Sequence, residues 1–448
     1  MQVKKTVAIA TALLAGALAL TACGGGTPPV SSPSAAPADT PSAAPAAPVT
    51  MTLWTNATTG PGLDYFNALS AAFTKANPNV TVTIQSVQND DLDGKLQTAL
   101  NAGKGSAPDI FLQRGGGKMV AQAQANQVAD LTSLLNDATK TGLGGGLAIE
   151  SFQGKVYAVP VSNQPEGFFY SKDLFQQAGV DAAAIKTLDD LNAAVQKLKD
   201  AKITPIALGA KGAWPASHWY MQFALRACSQ AALDATAASN PIQMTDPCWL
   251  KAGEDLKAFA DTKPFNDGFL TTDAQQGAGS SAGMIANHKA AMELMGAWDV
   301  GVIADLTPDK KPLPDLGFFP FPSVPGGAGD PSALMTGADG YSCSAWAPMP
   351  ACADFLNFMA TPEQQTAYAA AFNTLPVNSQ ATIAADQPAV LNDIKAVFAQ
   401  AKYVSIWLDT LYGQNVGNAL NTSVVNLLAG QGTPQAIVDT VNQSAAKG

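Results

Sequence analysis

Histidine occurs twice, cysteine five times, and only 13% of the residues are charged. These scarcities exclude several classes of protein. His218 and His288 stand far apart, and no cysteine pair has the spacing of a zinc site, so neither a metal centre nor a cofactor is expected. Acidic residues outnumber basic ones by 35 to 25, without any basic run, which argues against nucleic acid. Phosphate-binding signatures are missing as well. Gly115-Gly116-Gly117 fits neither a Walker loop nor a dinucleotide fingerprint. It reads better as a sharp turn that lets another group approach the backbone. Gly279-Ser280-Ser281-Ala282-Gly283 has the spacing of a nucleophile elbow, but only His288 follows, with no acid between and no apolar strand before it. A serine hydrolase is not expected.

The charge-free run from Thr6 to Ala22 is too short and too alanine-rich to span a membrane comfortably. Preceded by Lys4 and Lys5, it fits a secretory signal. It ends in Leu20-Thr21-Ala22-Cys23, which resembles a bacterial lipobox. That resemblance implies lipid on Cys23, removal of residues 1–22, and stable anchoring through several acyl chains. The alternative is an ordinary signal peptide with a chance cysteine. Beyond Cys23, residues 24–48 are Gly, Pro, Ser, Ala and Thr with one acid, Asp39. Such a segment cannot bury enough apolar surface to fold, and its prolines keep it extended. Residues 23–48 are therefore expected to form a spacer. With Cys23 assigned to lipid, Cys228, Cys248, Cys343 and Cys352 remain, an even number in an oxidising compartment. Of the three possible pairings the two local ones, Cys228–Cys248 and Cys343–Cys352, are expected; four buried free thiols are the alternative.

The body from Val49 onward is too long for one typical core, which points to two lobes. Val49, Met51 and Leu53 alternate as in a half-buried strand, and so do Val80, Val82 and Ile84. Between them Phe66, Leu69, Phe73 and Ala76 recur at helical spacing until Pro78. A helix over 91–102 and a strand over 109–112 follow. This alternation predicts an α/β fold with a mostly parallel sheet. Further strands are expected at 155–160, 168–170, 204–208, 291–295 and 316–319. Thr187, Thr361 and Thr433 read as helix caps, the last two followed by proline.

Aromatic residues carry the functional signal. Trp54 ends the first strand. Trp214, Trp219 and Tyr220 surround His218. Trp298 follows a strand and a glycine, and Trp407 stands near Asp409. Several fall at strand ends, where α/β folds place ligands. Flanked by acids and amides, they suit a sugar, whose C–H faces stack on rings and whose hydroxyls take carboxylate and amide partners.

Motifs in a specific order extend this reading. They include Pro108-Asp109-Ile110-Phe111, Gly154-Lys155-Val156-Tyr157-Ala158-Val159-Pro160, Phe169-Tyr170-Ser171-Lys172-Asp173-Leu174-Phe175, Trp214-Pro215-Ala216-Ser217-His218-Trp219, Phe318-Phe319-Pro320-Phe321-Pro322 and Leu375-Pro376-Val377. In this order they resemble the extracytoplasmic sugar-binding proteins of carbohydrate ABC importers, of the maltodextrin-binding class and closest in feel to the actinobacterial oligosaccharide-binding lipoproteins. The resemblance implies two α/β lobes, each discontinuous in sequence, closing about a hinge like periplasmic binding proteins. The expected lobes are 49–162 with 322–362 and 163–321 with 363–448, with crossings near 160–165, 319–323 and 360–364. It places Gln113, Arg114, Gln164, Glu166, Trp298, Asp339, Trp407 and Asp409 toward the cleft. Trp298 would stack on a sugar face, with Asp299 accepting hydrogen bonds from hydroxyls; lobe packing by Trp298 and a helix cap at Asp299 are the alternative. Ser171 departs from the usual Asn, and the four body cysteines have no support in the family. The implied protein is a non-catalytic monomer with a sugar ligand, an ABC permease as partner and a lipid tether to the membrane. A secreted glycoside hydrolase and a binder of a non-sugar solute are the rivals.

Overall fold

The computed structural model describes residues 47–337 and 339–447, so the leader, Cys23 and nearly all of the spacer lie outside the described residues. The chain builds two lobes, each around its own sheet. The first sheet has the order β2-β1-β3-β12-β6. Its strands are β1 (Val49–Thr55), β2 (Val80–Ser86), β3 (Ile110–Gln113), β6 (Val159–Pro160) and β12 (Gly340–Cys343). β1 lies parallel to β2 and β3, from Val49↔Val80 to Thr55↔Ser86. Along β1, Met51 and Leu53 are fully buried while their neighbours are not, as the alternation requires. The helix Gly60–Ala76 joins β1 to β2 and turns Phe66, Leu69 and Phe73 onto the sheet. It begins at Gly60, ahead of the apolar repeat, and Pro61 sits comfortably in its first turn.

The expected strand at 155–160 is two pieces. β4 (Ser151–Phe152) pairs with β5 (Lys155–Val156) in a separate hairpin, and only β6 joins the main sheet, beside β12. Pro160 is compatible with this because β6 is an edge strand.

The second sheet has the order β13-β11-β7-β9-β8, with β10 also paired to β7. Its members are β7 (Gln164–Ser171), β8 (Thr204–Ala207), β9 (Ala290–Gly296), β10 (Leu316–Phe319), β11 (Leu334–Gly337) and β13 (Val404–Ile406). β7 organises the lobe. β9 runs antiparallel along one side, from Glu166↔Gly296 to Tyr170↔Met292. On the other side β10 takes the far half of β7 and β11 the near half. Consecutive residues of β7 feed opposite faces: Phe168 packs with Trp219, Phe319 and Phe321, whereas Phe169 packs with Phe318 and the Val300–Ile303 region. Above the first face the helix Trp214–Ala227 is buried on all sides from Pro215 onward, between the helices Cys248–Asp261 and Gln414–Leu428. Its buried Arg226 has its donors satisfied by carbonyls, donating to the oxygens of Phe321, Pro322 and Ala333 at 2.7–3.1 Å.

Disulfides join Cys228 to Cys248 and Cys343 to Cys352, with Cα separations of 5.0 and 6.1 Å. Each ties a strand or helix end to the start of a neighbouring helix, and each short closed loop is worth ~3 kcal/mol.

The lobes divide the chain differently from the expectation. Residues 322–337 belong to the second lobe: Phe321, Val324, Ala333 and Met335 share its core, and β11 fills the free half-edge of β7. The helix Pro362–Phe372, expected in the second lobe, gives Tyr368 to the first lobe's core, 5.3 Å edge-on from Tyr65. The crossings therefore fall at 161–163, at Asp339 and after Phe372. They lie side by side. Val161 N donates to Asp339 O, and Asn163 N to Leu375 O. Gln365, fully buried, donates to Pro160 O and accepts from the backbone N–H of Val377 and Asn378.

Candidate functional site

The ends of β7, β9, β13 and the first turn of the 214–227 helix meet at one place in the second lobe. Glu166, the third residue of β7, is fully buried. Its Oε2 accepts from Trp407 Nε1 at 2.6 Å, and its Oε1 lies 3.1 Å from His218 Nδ1. Burial disfavours the imidazolium of His218, but the Glu166 carboxylate outweighs it, with help from Asp409, and the pKa is raised above its ordinary value. The His218 ring stacks on Trp407, centroids 5.2 Å apart and planes within 7°. Trp298 stands edge-on to Trp407 at 5.1 Å, and Trp214 lies 6.1 Å from Trp298 and 5.1 Å from His218. Four rings and one carboxylate thus form a continuous wall.

Two glycines make room for it. A Cβ on Gly296, at the end of β9, would run into the Trp298 ring, and one on Gly337, at the end of β11, into the Trp407 ring. The sequence shows Gly296 only as a strand breaker. That it and Gly337 act as seats depends on contacts that have no local signature.

Other expected site residues lie elsewhere or are already engaged. Trp219 is a correction: one residue past His218, it turns away from the wall, stacks on Phe259 and is fully buried. Trp54 packs between the two apolar clusters of the first lobe. Asp299 is a second correction. Expected to accept hydrogen bonds from hydroxyls, it is instead fully buried, the first residue of the helix Asp299–Leu306, and the capping position belongs to Trp298. Asp299 lies beside the equally buried Glu293, and among the described residues no hydrogen-bond partner meets the Asp299 carboxyl oxygens. Burial pushes Asp299 up to about 7 and Glu293 well above the carboxylate range. Gln164 donates to Ser162 Oγ at 2.8 Å, and Asp409 accepts from Asn421 at 3.0 Å.

In the first lobe, Gln113 is satisfied internally by Gln122, Ser342 and the Arg114 N–H. Arg114 grips Asp339 through Nη1 at 3.1 and 3.2 Å, Asp93 through Nε and Asn89 through Nη2. Burial opposes charge on Asp93, yet Arg114 and Lys118 draw its pKa down to about 2. This network fixes the second crossing, at Asp339, to the helix Asn89–Ala102.

The same helix meets the second lobe. Trp214 Nε1 donates to Asp90 Oδ1 at 3.3 Å, and Gln276 Nε2 to Gln88 Oε1 at 2.9 Å. Nothing in the sequence singled out Gln88, Asp90 or Gln276. Elsewhere Gly116 and Gly117 let the backbone of residues 410–413 approach, which is the close approach read from the glycine triplet. Two further features lie apart from the wall. A groove of about 560 Å3 lies at the first and third crossings, between Asn163, Val377 and the helix Val390–Gln400. Among the described residues, Asp173, His288 and Asp315 have donor atoms close enough to hold a metal ion, with His288 Nε2 3.0 Å from Asp315. Three separate segments supply them, so their proximity was not legible in the spacing.

Comparison with known proteins agrees with this architecture. An ABC transporter extracellular-binding protein of Pyrococcus horikoshii is 28% identical over 59% of the chain, and the match spans 59% of that relative's length. A melibiose/raffinose/stachyose-binding protein of Bacillus subtilis is 25% identical over 70% of each chain. Among solved structures, a chitin oligosaccharide binding protein superposes with a TM-score of 0.80 and 26% identity, covering 89% of this chain and 98% of its own. Residues 56–366 match the family described as bacterial extracellular solute-binding protein. The chain is a two-lobed, extracytoplasmic member of the bacterial extracellular solute-binding protein family.

Proposed function

We propose that the protein captures a sugar between its lobes and delivers it to an ABC permease, working as a monomer tethered outside the membrane by lipid on Cys23. One observation carries the reading: the wall of Trp214, His218, Trp298 and Trp407 around the buried Glu166, facing the helix that meets it across the lobes. Ring faces offer stacking for C–H surfaces, and the carboxylate organises the wall through the Trp407 indole N–H and the adjacent His218 ring. The proteins similar to it are binding proteins, one of melibiose, raffinose and stachyose and another of chitin oligosaccharides, which supports a saccharide over other solutes. No chemical step is assigned to Glu166, whose Oε2 accepts from Trp407 and whose Oε1 lies 3.1 Å from His218 Nδ1.

A thermal-shift screen of the mature body against mono- and oligosaccharides tests this. A bound sugar at a hundred times its Kd adds ~2.7 kcal/mol and raises Tm. A panel without any shift, or chromatographic detection of cleaved sugar, overturns it. For the anchor, Cys23→Ala is expected to abolish labelling by a palmitate analogue in the native host.

A further inference from the structure

The two lobes touch at both ends of the aromatic wall. At one end Trp214 reaches Asp90, beside the Gln276–Gln88 contact. At the other, the turn that follows Trp407 rests on the backbone of Gly116 and Gly117, where a Cβ at Gly116 would already lie 3.2 Å from Thr410 O and one at Gly117 has no room at all. Between these contacts run Trp214, Trp298 and Trp407, in steps of 6.1 and 5.1 Å between ring centroids. Each step is comparable to the length of one pyranose unit.

Resting on the sugar reading above, we infer that the site is closed at both ends and selects short saccharides, up to a disaccharide, with Asp90 as the residue that sets the limit. A longer chain leaving the wall has to break one of the two contacts. At the glycine end the obstacle is main chain against main chain, which no side-chain rotation relieves. At the Asp90 end it is a hydrogen bond between two side chains, so that end yields first. Loss of the Asp90 carboxylate then opens the site without altering the wall itself, because Asp90 bonds to the edge of Trp214 and to none of the other rings.

Calorimetric titration of the mature body with two ladders decides the matter: galactose, melibiose, raffinose and stachyose, and xylose through xylotetraose. In the ladder that binds, affinity is expected to rise to the disaccharide and to fall by about tenfold or more at the tetrasaccharide. In Asp90→Ala the tri- and tetrasaccharides are expected to gain about tenfold relative to the disaccharide, with the apo Tm unchanged. Affinity that keeps rising from di- to tetrasaccharide in the unaltered protein, or a ladder profile that Asp90→Ala leaves the same, overturns the length limit alone. Failure of every member of both ladders to bind, with no shift in the wider saccharide screen, overturns the sugar reading and the limit with it.

Discussion

Single residues of the wall divide into those that would touch ligand and those that hold them. Trp298 belongs to the first group. It is only partly buried and reaches three other rings. Trp298→Ala is expected to weaken the proposed sugar by about 2–4 kcal/mol, the range of buried aromatic anchors, or roughly 30- to 1000-fold in Kd by calorimetry. Asp299 belongs to the second group, and its prediction concerns pH. Its folded pKa is raised, so its protonated form stabilises the fold. That contribution is complete below the unfolded carboxyl value of about 4 and is lost as pH rises to about 7. His218 has the same sign, with its contribution lost above its folded pKa, which lies above the ordinary imidazole value. Asp299→Asn keeps the shape, removes one member of the facing acid pair, and should flatten the fall in Tm between pH 4 and 7. A melt series with the same slope in both proteins would refute the assignment of that slope to Asp299. The acid beside Trp298 read as a ligand-facing acceptor in the sequence because its buried neighbour, Glu293, lies in the preceding strand and faces it only after folding. Trp219 misled for a related reason: adjacent residues of a helix point about 100° apart, so it and His218 could not both reach the wall.

At the level of elements, legibility followed length and local chemistry. Thr187, with Asp190, closes a full capping box, and Thr361 and Thr433 cap their helices as their Thr-Pro pairs imply. β1, β2, β9 and β10 declared themselves by alternation or by continuous apolar character. β11, β12 and β13 did not. They are three or four residues long and carry Thr, Gly and Ser, and they are strands because a neighbouring edge was free to pair with them. The second crossing was misplaced because β11 was invisible. These short strands nevertheless position the site. β11 ends in Gly337, under Trp407, and Gly337→Ala is expected to displace that indole from Glu166. Affinity for the proposed sugar should fall by about tenfold or more, while near-ultraviolet dichroism reports the tryptophan movement. Unchanged dichroism with unchanged affinity would remove the glycine from its role as a seat.

For the whole molecule, two lobes with separate cores and direct contacts across the cleft describe a closed arrangement. A sugar that binds this arrangement better than an open one shifts the population toward it by its differential affinity. Small-angle scattering is therefore expected to give a smaller radius of gyration with a saturating saccharide than without. Equal radii, with binding shown independently, would leave a permease no difference in shape to read.

The three crossings run beside one another and share main-chain hydrogen bonds, Val161 with Asp339 and Asn163 with Leu375, while Gln365 clasps the first and third. Three independent strands would let the lobes wobble about many axes. A bonded ribbon resists shear and twist and leaves one easy direction, a bend across its width. The open molecule is then a narrow family of states rather than a diffuse one. Closing gives up little orientational entropy, and more of the contact energy made in the cleft is left to appear as affinity.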